Sequence, residues 1–191
     1  MLGITVLLTI LNGHTSVGWS QFNPNESGPE SNTQRFVNYL RSDIVDKYGL
    51  DGIDIDDEYS TGEAHDQSLA MVTTLFKQTM PDKLLTKALW NDNEYFSANW
   101  EGKTLAENLD YGWEMTYGGG GPEWRLKPYL QYGMTKKVLC LGFSAGNQFE
   151  NDFSTIGPMM ETVMKEGYAG GMLFDYSKHP KLMDRITHYT S

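Results

Sequence analysis

The chain has 191 residues, enough for one domain, and its 39% hydrophobic and 13% aromatic content supports a buried core. With 25 acidic against 15 basic residues it carries a formal net charge of -10, which argues against a nucleic-acid groove or an anionic membrane surface as the main partner, because both need clustered Lys and Arg. A single cysteine, Cys140, excludes an intrachain disulfide framework and leaves the compartment open.

The opening "MLGITVLLTILNG" has no basic residue before its apolar run and no small-residue cleavage pattern after it, so it is not expected to act as a signal peptide. The run is also shorter than the about 20 residues that a bilayer span takes. Ile4, Val6, Leu8 and Ile10 alternate with Thr5, Leu7, Thr9 and Leu11, so both faces are mostly apolar, which predicts a fully buried parallel strand over 4–11. An amphipathic helix over 33–47 follows, with Phe36, Val37, Leu40, Ile44 and Val45 on one face. A strand is predicted over 52–58 and a helix over 66–80, closed by Pro81. "KLLTKALW" gives the third strand over 83–90, and one short helix is expected around Leu105. Further strands are predicted over 111–117, 136–143 and 170–176, with helices over 153–166 and 180–189. Strands alternating with helices imply parallel strands joined by right-handed crossovers, hence an α/β sheet or barrel. Residues 1–191 read as a single domain without repeat or linker, "GGGGP" at 118–122 reads as a loop at a strand end, and Cys140 reads as inert core.

Within 52–58, "GIDIDDE" places acid where a strand should be dry. Alternation puts Asp54, Asp56 and Glu58 on one face and turns Ile53 and Ile55 toward the flanking helices. Adjacent acids then sit about 6.6 Å apart at the backbone, so at least one proton is retained and the pKa values spread. Glu58, at the strand's carboxyl end, is the acid that reaches substrate, with Asp56 and Asp54 progressively deeper. Asp57 points outward and reads as structural, as a cap. The bland alternatives are a solvated edge strand, which would not alternate so cleanly with isoleucine, and a cation site. A calcium loop fails because Tyr59 follows Glu58 and His65 stands where a bidentate acid belongs. We assign no metal and no cofactor.

Asp51-Gly52-Ile53-Asp54-Ile55-Asp56-Asp57-Glu58 resembles the D-G-x-D-x-D-x-E signature of glycoside hydrolase family 18. With Asp57 where chitinases usually carry Trp or Tyr, and with "YGLDG" in front, it is similar to the endo-β-N-acetylglucosaminidases of the endoglycosidase H/F type, which cut the GlcNAc-GlcNAc core of N-glycans. Met115-Thr116-Tyr117 resembles the family's M-x-Y, "TILNGH" at 9–14 the end of its third strand and "GGMLFDY" its eighth. The resemblance implies a (β/α)8 TIM barrel of which only the last six βα units are present. The expected chain is N-terminally incomplete, with sheet edges that a missing N-terminal segment or a partner chain would cover.

Asp56 and Glu58 project from one face of one strand, so they do not flank a glycosidic bond as the paired carboxylates of a two-carboxylate retaining enzyme do. The resemblance supplies the nucleophile: the substrate's own 2-acetamido oxygen, in a retaining, substrate-assisted mechanism with an oxazolinium-like intermediate. By the same resemblance Glu58 protonates the glycosidic oxygen and later activates water, Asp56 orients the acetamide N–H, Asp54 shares a proton with Asp56, and Tyr117 donates to the acetamide carbonyl. Trp90, Trp113, Phe174 and Tyr176 lie near strand ends, and Tyr176 and Trp113 are the favoured sugar-stacking residues. His14 is expected to line the cleft, and Asn91 and Glu114 to contact sugar hydroxyls. The implied partner is an N-glycan or a chitin-like GlcNAc oligosaccharide, and the family suggests a secreted or cell-surface protein. A chitinase and a catalytically inactive chitinase-like glycan-binding protein stand as alternatives.

Overall fold

The computed structural model describes residues 3–11, 18–26, 28–58, 64–90, 92–117, 120–145, 153–178 and 180–189. Two compact units divide the chain: Met1–Ala88 with Asp92–Asp110, and Leu89–Asn91 with Tyr111–Ser191. Among the described residues no helix is long and apolar enough to cross a membrane.

In the first unit, β1 (Leu7–Leu11), β2 (Gly52–Asp56) and β3 (Leu84–Leu89, its last residue in the second unit) pair in parallel and in chain order. The register sets Thr9 beside Asp54 and Asp54 beside Thr86. Gly52 carries no side chain because a Cβ there would lie 2.0 Å from the Leu84 carbonyl oxygen. We therefore expect Gly52→Ala to wedge β2 from β3 and destabilise the protein by about 3 kcal/mol, the upper end of overpacking. Denaturant unfolding checks this, and an unchanged midpoint would mean that the two strands tolerate the extra carbon.

The crossover α1 (Asn32–Tyr39) starts where Ser31 Oγ accepts the Gln34 N–H at 3.2 Å, satisfying one orphan donor of its first turn. It widens into a π-helical stretch over Leu40–Asp46, so the helix predicted over 33–47 is two kinds of helix in series. Val37, Leu40 and Val45 bury the apolar face. α2 (Ser68–Thr79) is buried along most of its length, from Leu69 to Phe76. A hairpin, β4 (Asn99–Trp100) and β5 (Lys103–Thr104), leads into α3 (Leu105–Asn108). The Thr104 and Glu107 capping box starts that helix, and the Asn108 amide donates to the Thr73 and Thr74 hydroxyls at 2.9 Å each, fastening α3 to α2. The hairpin is absent from the sequence expectations.

In this unit the bounds or burial of two predicted strands are corrected. β1 begins at Leu7 and is not fully buried: Leu8 is 40% and Leu11 50% exposed. Among the described residues it pairs with β2 alone, whereas a both-faces-apolar pattern predicts a strand enclosed by neighbours. β2 stops at Asp56, two residues short of its predicted end.

In the second unit, β6 (Tyr111–Glu114), β7 (Leu139–Ser144) and β8 (Gly170–Phe174) are again parallel and in chain order. The first residues of the strand predicted over 136–143 form a 3-10 turn instead, Lys136–Val138. After the glycine-rich stretch come two short helices absent from the sequence expectations, α4 (Pro122–Arg125) and α5 (Lys127–Leu130). α6 (Phe153–Glu166) and α7 (Pro180–Thr187) cover the sheet with Ile156, Met160, Val163, Leu182 and Ile186. Cys140 is buried in β7 and burial pushes its thiol up to about 12, as expected of inert core.

Candidate active site

The strand β2 is amphipathic in an unusual sense. Ile53 and Ile55 are fully buried, while Asp54 and Asp56 alternate with them. Asp54 is 8% exposed, and its burial is made tolerable by the neighbouring strands. Thr9 Oγ1 donates to one carboxylate oxygen at 2.9 Å and Thr86 Oγ1 to the other at 2.5 Å. The two threonines interrupt apolar strands in "LLTIL" and "LLTKAL", a signal that becomes readable only when the register sets them beside an acid.

Asp56 is half-buried, and its carboxyl is raised from an ordinary 3.8 to about 7. Burial contributes most, followed by the charge of Glu58, the hydrogen bond with Glu58 and the charge of Asp54, while Lys87 pulls the other way. Near neutral pH a proton is therefore held on the Asp56–Glu58 pair. Lys87 is fully buried on β3, and its Nζ donates to Asp92 at 2.5 Å and to the Ala88 carbonyl at 2.8 Å. This buried cation acting on Asp56 was not anticipated, because alternation places Lys87 beside Ile55 rather than in the acid row.

Asp57 explains why the strand ends. Its oxygens accept the Trp19 N–H at 3.1 Å and the Ser20 N–H at 3.2 Å, at the start of the 3-10 turn Trp19–Gln21. Ser68 Oγ donates to the Trp19 carbonyl at 2.6 Å, so the same turn is tied to α2. Asp57 is thus the structural cap that the sequence suggested. Pinned at Asp57, the chain leaves the sheet, and Glu58 sits half-buried beyond the strand end, hydrogen-bonded to Asp56.

The second unit carries Tyr117, Trp113, Glu114 and Tyr176. Tyr117 follows β6 with a left-handed backbone, φ 53°, and its ring stacks on Phe174 with centroids 6.1 Å apart. Trp113 stacks on Tyr111 at 5.5 Å. Phe174 and Tyr176 are exposed. Glu114 corrects an expectation: it is buried, with one oxygen on the Arg125 Nε at 2.5 Å and the other on the Thr116 N–H at 2.9 Å, which leaves it poorly placed for a sugar hydroxyl. His14 and Asn91 lie outside the described residues. The structure thus groups Asp54, Asp56 and Glu58 in one unit, and Tyr117 with its aromatic neighbours in the other.

The sequence model of Glycosyl hydrolases family 18 matches residues 3–154. An endo-beta-N-acetylglucosaminidase of Flavobacterium sp. (strain SK1022) is 32% identical over 123 residues, 61% of this chain and 37% of that protein. The chain thus spans little more than a third of that relative. Among solved structures, the chitinase ChiW from Paenibacillus sp. str. FPU-7 superposes with a TM-score of 0.78 at 16% identity, covering 97% of this chain and 25% of that one. Bacteroides thetaiotamicron EndoBT-3987, solved with a Man5GlcNAc product, gives 0.70 at 23% identity over 96% and 41%. At these identities the likeness shows the fold alone, which is α/β of the (β/α)8 TIM-barrel type, in keeping with the strand and helix alternation of the sequence.

Proposed function

From the premise that the chain belongs to glycosyl hydrolases family 18, we propose that it serves as an endo-β-N-acetylglucosaminidase, hydrolysing the GlcNAc-β-1,4-GlcNAc core of N-glycans by a retaining, substrate-assisted route. The observation that carries this reading is the Asp56–Glu58 pair, a shared proton at the carboxyl end of β2 with the Asp56 carboxyl raised to about 7. A carboxyl pair that keeps a proton at neutral pH has what protonation of a leaving oxygen requires.

In this scheme Glu58 donates its proton to the glycosidic oxygen as the C1–O bond breaks, and the substrate's acetamide oxygen bonds to C1 in its place. Asp56 accepts the acetamide N–H, which sharpens the oxygen's nucleophilicity and spreads the positive charge of the oxazolinium ring. Asp54, held by Thr9 and Thr86, stands behind Asp56 and is assigned to share its proton. Glu58, now ionised, takes a proton from the water that opens the ring. Tyr117 is assigned as hydroxyl donor to the acetamide carbonyl, and Trp113 and Tyr176 as sugar-facing aromatics.

The sequence likeness to the Flavobacterium endo-beta-N-acetylglucosaminidase supports N-glycan over chitin. A fluorescently labelled high-mannose glycopeptide should lose its glycan and keep one GlcNAc, while chitin oligomers of equal concentration turn over at least tenfold more slowly. Faster cleavage of the chitin oligomers would make the protein a chitinase, and binding of glycan without release would make it a lectin.

A further inference from the structure

The left-handed backbone of Tyr117 is uncommon for a bulky residue and has to be imposed by its surroundings. The imposing groups lie in one line through the second unit. Met115 N–H donates to the Leu89 carbonyl at 2.9 Å, which ends β6 against the last residue of β3. The next residue, Thr116, gives both its N–H, at 2.9 Å, and its hydroxyl to Glu114 Oε1, folding the chain back two residues. The other oxygen of Glu114 is gripped by the Nε and Nη2 of Arg125, and Arg125 Nη2 also donates to the Gly142 carbonyl at 2.6 Å on β7. Glu114 and Arg125 are both buried. Gly142 completes the arrangement, since a Cβ there would lie 1.9 Å from the Glu114 carbonyl oxygen and 3.2 Å from the Tyr117 ring.

We propose that the Glu114–Arg125 ion pair is a positioning device that fixes the Met115-Thr116-Tyr117 turn and thereby aims the Tyr117 hydroxyl at the substrate acetamide, an inference that rests on the role given to Tyr117 above. The pair itself touches no substrate. It holds the turn in a single geometry, because Glu114 cannot swing to follow Thr116 while Arg125 grips it and is itself tied to the Gly142 carbonyl of β7. Small losses of alignment at a reacting group lower turnover by up to about a hundredfold without comparable loss of substrate affinity.

The test is a double-mutant cycle on kcat for release of the labelled high-mannose glycopeptide, using Glu114→Gln, Thr116→Val and Tyr117→Phe. Tyr117→Phe should lower kcat by about a hundredfold. Glu114→Gln should lower it by about ten- to a hundredfold, and Thr116→Val, which spares the ion pair, by several-fold, each with KM changed less than threefold. In the Tyr117→Phe background neither change should reduce kcat further. Thr116→Val keeps the test open if Glu114→Gln fails to fold, and Thr116→Ser should restore the loss because it returns the hydroxyl. Losses that multiply in the double variants overturn the positioning role while leaving Tyr117 in place. Full activity of Tyr117→Phe overturns the role of Tyr117 and the inference with it.

Discussion

Replacing Glu58 by Gln is expected to lower glycan release by about a thousandfold or more while leaving glycan affinity within a few-fold of the parent. The amide fills the carboxyl's volume and offers an oxygen and two N–H donors, but it has no proton to give to a departing alkoxide. Glycan binding should survive because the change leaves untouched the aromatics proposed to face the sugar. Binding by calorimetry and turnover of the labelled glycopeptide, measured side by side, separate the two effects. A second readout comes from Asp56. Glu58's charge and its hydrogen bond are two of the causes that raise Asp56, and an amide at 58 removes the charge and donates toward Asp56 instead. The Asp56 carboxyl in Glu58→Gln should therefore titrate well below its parental value, visible as a shifted carboxyl resonance. A variant that keeps a tenth or more of parental turnover would remove Glu58 from the role of acid.

The alternation of strands and helices was legible because each element buries one face and so writes its own period into the sequence. The acid row was legible for the same reason, since Asp54 and Asp56 alternate with two isoleucines that are fully buried. What periodicity does not encode is where an element stops and what lies beside it. β2 ends at Asp56 because Asp57 is captured by the backbone of Trp19 and Ser20, more than thirty residues earlier in the chain. Leu8 and Leu11 read as core, yet they are exposed because burial of a strand depends on its neighbours as well as its own composition. Thr9 and Thr86 acquire a meaning only through the register that sets them on either side of Asp54. The sequence places Glu114 near a strand end but does not show what holds it there. Its carboxylate is claimed by Arg125, on a four-residue helix too short to show a hydrophobic period.

Replacing Asp56 by Asn is expected to abolish turnover and, at the same time, to stabilise the protein at and above neutral pH. The sign follows from the direction of the shift. The Asp56 carboxyl is raised from an ordinary 3.8 to about 7 in the fold, so the native state holds a proton that the unfolded chain has already released across that window. Below 3.8 both states are protonated and the residue's favourable contribution is fully present. Between 3.8 and 7 that contribution drains away as pH rises, and above 7 the fold carries an ionised carboxylate beside Glu58 and Asp54. Lys87 offsets part of this repulsion without cancelling it, since it is already engaged by Asp92. The amide introduced by Asp56→Asn has nothing to ionise and can still donate an N–H toward Glu58. The melting temperature of Asp56→Asn minus that of the parent should therefore climb from pH 4 to pH 7 and then level off. The parent's kcat/KM should fall on the alkaline side as the shared proton leaves the pair near pH 7. A melting-temperature difference that is flat with pH, or that falls as pH rises, would mean that the proton is not held by this pair. The source of acid for glycan cleavage would then have to be sought elsewhere. Loss of turnover together with a gain in stability above neutral pH would be the joint signature expected of a carboxyl kept for the proposed reaction at a cost to the fold.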